Sequence, residues 1–333
     1  MFRSSIRLSL TIALAAAAAH AQPAPRISNT DRIRIREAFN LADKLGDRIW
    51  PGWHEAPFAM ILVTPDYEFL IRHPNPSAEF TKIDSDTLVG GPVYYRKRQF
   101  STGMQATFPA VNGVNTTVIG QAENTSDKTS TRWVLTVLHE HFHQLVYSAP
   151  DYYADVTKLG LAHGDNGGMW MLNYPFPYDS VRVQEKFSAM ARALLEALAQ
   201  TDQPSLAAKV VAFNRANKEF RASVPAEAEK YFAFQLWQEG VARYTEVILG
   251  ELAAKGYSPS PEFAALPDFT SYATVVHDMR MRILSDLSTL SLAKSRREVV
   301  YSVGAAEALL LDRVNPAWRR DFMTHRFRLP DPK

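Results

Sequence analysis

The chain has 333 residues, with 37 Lys+Arg against 35 Asp+Glu, 46% hydrophobic residues and no cysteine. That length is ample for a sizeable core, and a formal charge of +2 makes no electrostatic case for nucleic acid as a partner. The missing cysteines exclude disulfide scaffolds, thiol nucleophiles, Cys-ligated zinc and iron–sulfur clusters, so any metal must be held by His, Asp or Glu.

In chain order, Arg3 and Arg7 precede an apolar run from Leu8 to Ala19 that ends in Ala19-His20-Ala21. A basic start, a short apolar core and an A-x-A ending predict a secretory signal peptide over residues 1–21, cleaved after Ala21. The run is shorter than the roughly 18 residues of a membrane span. No later segment reaches that length without charges, so no stable span is expected after cleavage. Cleavage removes two arginines and no acid, leaving a formal charge of zero. Export without disulfides points to a periplasmic or secreted protein.

Residues 22–132 read as a helix followed by a small sheet. Asn29 or Thr30 can cap a helix that carries Ile33, Ile35, Phe39, Leu41, Leu45 and Ile49 and stops before Pro51-Gly52. Residues 58–64 and 68–72 read as two strands joined by a turn at Pro65-Asp66, and 92–96 as a third. Residues 104–121 form a hairpin pattern across Asn112-Gly113, a pair suited to the positive φ angles of a tight turn. Residues 133–180 hold a helix and then an irregular glycine- and proline-rich stretch over 151–180. Residues 181–333 read as helical, with helices at 181–200, 205–222, 226–254, 268–290 and 296–315. The fold class is α+β, a small mixed sheet first and a mainly α-helical half second.

The sharpest local signal is His139-Glu140-His141-Phe142-His143. At about 100° per residue, four steps return His143 to within about 40° of His139, one turn along the helix. Two neutral imidazoles on one face can share an ion, and Glu140 can reach water beside it. Trp133, Val134, Val137, Leu138, Phe142, Leu145 and Val146 make this helix apolar nearly all round. Imidazoles and a carboxylate buried there are costly unless bonded or metal-paired. His141 lies on another face and reads as a packing histidine.

A catalytic zinc of this type needs a third protein ligand and one position for water. The metzincin form needs glycine at 146 and histidine at 149, where Val146 and Ala149 stand. A compact site would draw a Glu from shortly after the second histidine, yet none occurs between Glu140 and Glu185. His163 and Asp165 remain as fallback ligands in a glycine-rich loop. Glu239 is the better candidate, in Leu236-Trp-Gln-Glu-Gly-Val-Ala-Arg-Tyr-Thr-Glu246. Glu246 lies within about 20° of Glu239 around the helix, so one carboxylate can bind zinc while the other takes the free N–H of a ligand imidazole. Gly240 allows another helix to approach closely.

His139-Glu140-x-x-His143 followed by Trp237-x-Glu239-Gly240-x-Ala242-x-Tyr244-x-Glu246 resembles the gluzincin zinc metallopeptidases. The likeness extends distantly to the catalytic domain of the aminopeptidase N group, whose corresponding helix reads W-x-x-E-G-x-A-x-Y-x-E. The resemblance implies a zincin, thermolysin-like fold, with Zn²⁺ on His139, His143 and Glu239, Glu140 as general base and Glu246 supporting a ligand. It covers two helices and, loosely, the order of elements. Trp237 stands one residue nearer the Glu than in that group, and the interval from His143 to Glu239 is far longer. Val118-Ile-Gly-Gln-Ala-Glu-Asn124 occupies the region of the Gly-Ala-Met-Glu-Asn exopeptidase signature without matching it, so aminopeptidase specificity is not implied. Tyr301-x-x-Gly304 resembles a helix late in gluzincin-like proteins and makes Tyr301 a catalytic candidate, as hydrogen-bond donor to a developing oxyanion. Tyr174, Tyr178, Tyr244 and His163 compete for that role.

These readings predict an exported zinc-dependent metallopeptidase acting on peptide or protein substrates, with the 104–121 hairpin offering an edge strand to an extended peptide. Two other readings of the same site are a zinc hydrolase of a non-peptide amide or ester, and a non-catalytic exported zinc-binding protein.

Overall fold

Ser28 opens the first helix, α1 (Asn29–Leu45), by accepting the Asp31 N–H on its side chain at 3.1 Å. The cap thus falls one residue before the expected Asn29 or Thr30, in a run of three residues that all suit the role. The helix gives way to a 3₁₀ turn at Gly46–Arg48 instead of continuing to Ile49. There Gly46 packs so closely on Trp53 that a Cβ would meet the indole at 2.2 Å. The computed structural model describes residues 24–333 except 84, and the expected signal peptide lies outside them.

Six strands follow: β1 (Met60–Val63), β2 (Tyr67–Ile71), β3 (Thr81–Lys82), β4 (Val93–Lys97), β5 (Gln105–Val111) and β6 (Val114–Gly120). They form one mixed sheet in the order β3-β4-β2-β1-β6-β5, in which only the β1–β6 pair is parallel. Strand β1 is buried on both faces. Met60 and Leu62 join the main core while Ile61 and Val63 join a smaller cluster with Leu70, Phe80, Val111 and Val118, which explains its unbroken apolar run. The β5–β6 turn holds Asn112 at φ 44° and Gly113 at φ 74°, as the dipeptide predicts. Strand β5 is the sheet's edge, and its pairing is irregular between Phe108 and Val111, around Pro109.

Helix α2 (Ser130–Tyr147) is buried from Ser130 to Val146 with one half-buried position, Arg132. It packs against β5, β6 and α1. Its N-terminus is capped from far along the chain: Asp268 accepts the Ser130 N–H at 2.9 Å and the Ser130 hydroxyl at 2.7 Å. Asp268 therefore does not begin the 268–290 helix, which is capped by Ser271 and runs Tyr272–Thr289. The stretch 151–180 is not wholly irregular, since Tyr152–Lys158 and Trp170–Asn173 are short helices.

The helical half comprises α3 (Val181–Leu198), α4 (Gln203–Arg221), α5 (Ala226–Gln235), α6 (Val241–Gly256), α7 (Tyr272–Thr289) and α8 (Val299–Val314). The single helix expected over 226–254 is interrupted between α5 and α6 by a π-turn at Leu236–Gly240. Helix α8 crosses that π-turn at Gly304, where a Cβ would sit 2.7 Å from Gly240 Cα and 2.7 Å from the Leu236 carbonyl oxygen. The α6–α2 and α8–π-turn contacts bring the two halves of the sequence onto one core that runs from Ile27 to Leu329. No helix among the described residues is long and apolar enough to cross a membrane.

Candidate metal centre

Helix α2 presents His139 and His143 from successive turns, with their rings 5.0 Å apart. The π-turn presents Glu239 from across the α2–α6 interface. Glu239 Oε2 lies 3.5 Å from His139 Nε2 and 3.5 Å from His143 Nε2. All three residues are buried, and one ligand atom from each lies within 4.8 Å of the others. A separation of 3.5 Å is long for a hydrogen bond. It fits atoms sharing a tetrahedral ion, for which bonds of about 2.0–2.1 Å put ligand atoms about 3.4 Å apart. Two imidazole nitrogens and a carboxylate oxygen suit a divalent ion of intermediate softness. These residues could hold a metal ion.

The two histidines differ in their support. His139 Nδ1 lies 2.6 Å from Glu246 Oε1, which fixes its tautomer and leaves Nε2 facing Glu239. His143 Nδ1 is buried without a partner, and its ring is held by stacking on Tyr147, 5.6 Å away at 18°. Burial opposes a charge on His139, yet the neighbouring carboxylates of Glu239 and Glu246 outweigh that and push its pKa up to about 10. A cation binding at Nε2 therefore displaces a proton. Burial also opposes the Glu239 carboxylate, but the charges of His143 and Arg297 hold it well below the usual range.

Glu140 points to the sheet. The Thr107 hydroxyl on β5 donates toward Glu140 Oε2 at 2.8 Å, tying the carboxylate to the edge strand. Burial pushes its pKa up, and the neighbouring His139 and His143 pull it back. A carboxyl group raised in this way holds a proton more readily than an exposed one.

An ionic frame with half-buried arginines surrounds these groups. Glu246 Oε2 accepts from Arg243 Nη1 at 2.8 Å. Arg132 Nη1 is also 2.8 Å from that oxygen, an ion pair by distance without a hydrogen bond. Arg132 Nε continues to Asp127 at 3.2 Å. On the other flank Arg297 Nη2 holds Glu239 Oε1 at 2.8 Å, while its Nη1 donates to the Tyr301 hydroxyl at 3.1 Å.

The remaining sequence candidates fall in different places. Tyr301 borders the centre, its ring 6.1 Å from that of His139. Tyr244 is fully buried and donates to Asp312 at 2.6 Å. Tyr174 stacks on Tyr231 at 4.3 Å, and Tyr178 packs on Phe176 under Arg296. The fallback ligands do not join the cluster. His163 is exposed beside Glu227, and Asp165 accepts the Gly167 and Trp170 N–H groups of its own loop. His141 is a packing residue, stacked 3.7 Å from Phe58 and bonded to Gln144, and burial lowers its pKa to about 4. Two surface hollows near the end of α8, around Asp47 and Arg319 and around Trp318 and Leu329, are lined by none of the cluster residues.

Sequence reasoning missed Thr107, Tyr147, Arg132, Arg243 and Arg297. Arg243 carried a signal: it stands between Glu239 and Glu246 on an apolar helix, three residues from the second. Arg297 stands one turn before Tyr301, and Thr107 carried no signal. No protein-family model, no curated protein and no solved structure matches the chain.

Proposed function

We propose that the chain is an exported zinc-dependent metallopeptidase with a zincin, thermolysin-like fold. The observation that carries this reading is the convergence of His139, His143 and Glu239, with Glu140 tied to the sheet's edge strand one residue along from the first ligand. Zinc held there supplies a Lewis acid and lowers the pKa of a water. Glu140 accepts the proton of the attacking water and returns it to the leaving amine. Thr107 keeps the Glu140 carboxylate beside β5, whose outer edge suits an extended peptide lying along it as a further strand. Tyr301 is placed to donate its hydroxyl proton to the carbonyl oxygen as charge develops there. Glu246 orients His139 and takes no part in proton transfer.

The test is a broad peptide-library digest with zinc-loaded protein, read by mass spectrometry, beside Glu140→Gln. Cleavage is expected from the wild type. Glu140→Gln should keep its zinc and lose about 10²–10⁴-fold in rate. Zinc-loaded protein that cleaves no peptide but does hydrolyse simple esters or amides would replace the peptidase reading with the wider hydrolase one. Protein with no stoichiometric zinc would remove both.

A further inference from the structure

Among the described residues, Arg297 is the one cation that touches both a candidate ligand and the candidate oxyanion donor. It lies in a 3₁₀ turn (Arg296–Glu298) just before α8, with its side chain 12% exposed. Each part of its guanidinium is engaged: Nε donates to Gln235 Oε1 at 3.1 Å, Nη2 pairs with Glu239 Oε1 at 2.8 Å, and Nη1 donates to the Tyr301 hydroxyl at 3.1 Å. The fork thus spans the end of α5, the π-turn and α8. The residue before it, Arg296, sits at φ 47° and ψ −127°, a conformation that costs any L-residue. That twist sends Arg296 outward to Asp179 and Tyr178 and Arg297 inward.

Two consequences follow from the atoms involved. With Oε1 occupied by Arg297, Glu239 has only Oε2 left to face the two imidazoles. The Tyr301 oxygen accepts from Nη1, so its own proton remains available to a substrate oxygen. We propose that Arg297 is a positioning residue that restricts Glu239 to one-oxygen coordination and presents the Tyr301 hydroxyl to the substrate. Ion affinity and turnover then both depend on this one fork. This rests on the metallopeptidase reading, and it adds what sets the third ligand's denticity.

The experiment compares full-length mature wild type with Arg297→Gln, Arg297→Lys and Tyr301→Phe. Zinc affinity is measured by competition with a chromophoric chelator, coordination number by the visible spectrum of the cobalt-loaded protein, and kcat and KM on a peptide the wild type cleaves. Arg297→Gln should weaken zinc binding about 10–100-fold and weaken the cobalt bands as Glu239 turns both oxygens to the ion. Tyr301→Phe should keep wild-type affinity and spectrum while kcat falls about 100-fold at unchanged KM. Arg297→Lys keeps the charge but cannot span two acceptors, so it should hold zinc within a few-fold and lose kcat as Tyr301→Phe does. Wild-type affinity and spectrum in Arg297→Gln would overturn the inference while leaving the metallopeptidase reading intact. A zinc-free wild type would overturn both. If Arg297→Gln does not fold, Arg297→Lys decides: wild-type kcat in that variant refutes the proposal, and loss of kcat with zinc retained supports it.

Discussion

The crossing of α8 over the π-turn makes Gly304→Ala an informative perturbation. A methyl at residue 304 would sit 2.7 Å from Gly240 Cα, 2.7 Å from the Leu236 oxygen and 3.2 Å from Leu236 Cα. Comfortable contacts between such atoms begin at about 3.5 Å, so α8 must retreat by close to 1 Å. Backbone atoms on both sides leave no flexible side chain to yield. Overpacking of this kind costs about 1–3 kcal/mol. With an unfolding entropy of about 2.1 cal/mol/K per residue, a chain of this size should lose about 2–5 °C in Tm. The retreat also carries Arg297 and Tyr301 away from the π-turn, and the 2.8 Å ion pair to Glu239 weakens as it lengthens by about 1 Å. Zinc affinity should therefore fall by at least about 10-fold. Circular-dichroism melts in zinc and in chelator, with a competition titration, read both effects. Gly256→Ala on α6 is the control, because a methyl there meets nothing within 4 Å. If Gly304→Ala melts and binds zinc like the wild type, the helix crossing does not set the position of Glu239.

Two further outcomes concern stability. Zinc at about 1,000 times its Kd should add about 4 kcal/mol to the fold, seen as a Tm higher by about 6 °C than in chelator. Superimposable melts would count against a metal centre. Glu307 on α8 is 3% exposed with Oε1 unpartnered, and burial lifts its pKa to about 7 against the opposing pull of Arg221. The folded state then holds a proton that the unfolded chain releases, so this contribution to stability is present below about pH 4.5 and is lost as pH rises through 7. Glu307→Gln should match the wild type near pH 4.5 and exceed it at pH 8, by at most about 3 kcal/mol. A difference that does not grow with pH would show that the site is not destabilised by ionisation.

Local chemistry was readable from the sequence wherever it depended on neighbours along the chain. The i, i+4 spacing of His139 and His143, the turn at Asn112-Gly113 and the β1–β2 pair all belong to that class. Long-range pairing was not readable. The parallel β1–β6 register, the capping of Ser130 by Asp268 and the contact of Thr107 with Glu140 join residues that share no periodic pattern. The π-turn was hidden for another reason: one widened turn adds no break to the run of helix-compatible residues from Leu236 to Val241, all of them buried, so a helix pattern runs straight through it. The two short helices inside 151–180 span too few residues for a 3.6-residue period to register.

The charges around the centre suit the proposed working site better than a purely structural one. Asp127, Glu140, Glu239 and Glu246 face Arg132, Arg243 and Arg297, with the three glutamates buried and the arginines half-buried. Taking each such ion from water costs several kcal/mol, and well-packed apolar residues usually stabilise a core at least as well as buried ion pairs do. Four carboxylates against three guanidinium groups and the protonated His139 leave no net charge. A divalent ion on His139, His143 and Glu239 turns that into a single positive charge, next to where a tetrahedral oxyanion would form. Arg132 and Arg243 compensate Glu246, so that His139 can be oriented by a carboxylate without adding uncompensated negative charge beside Glu140.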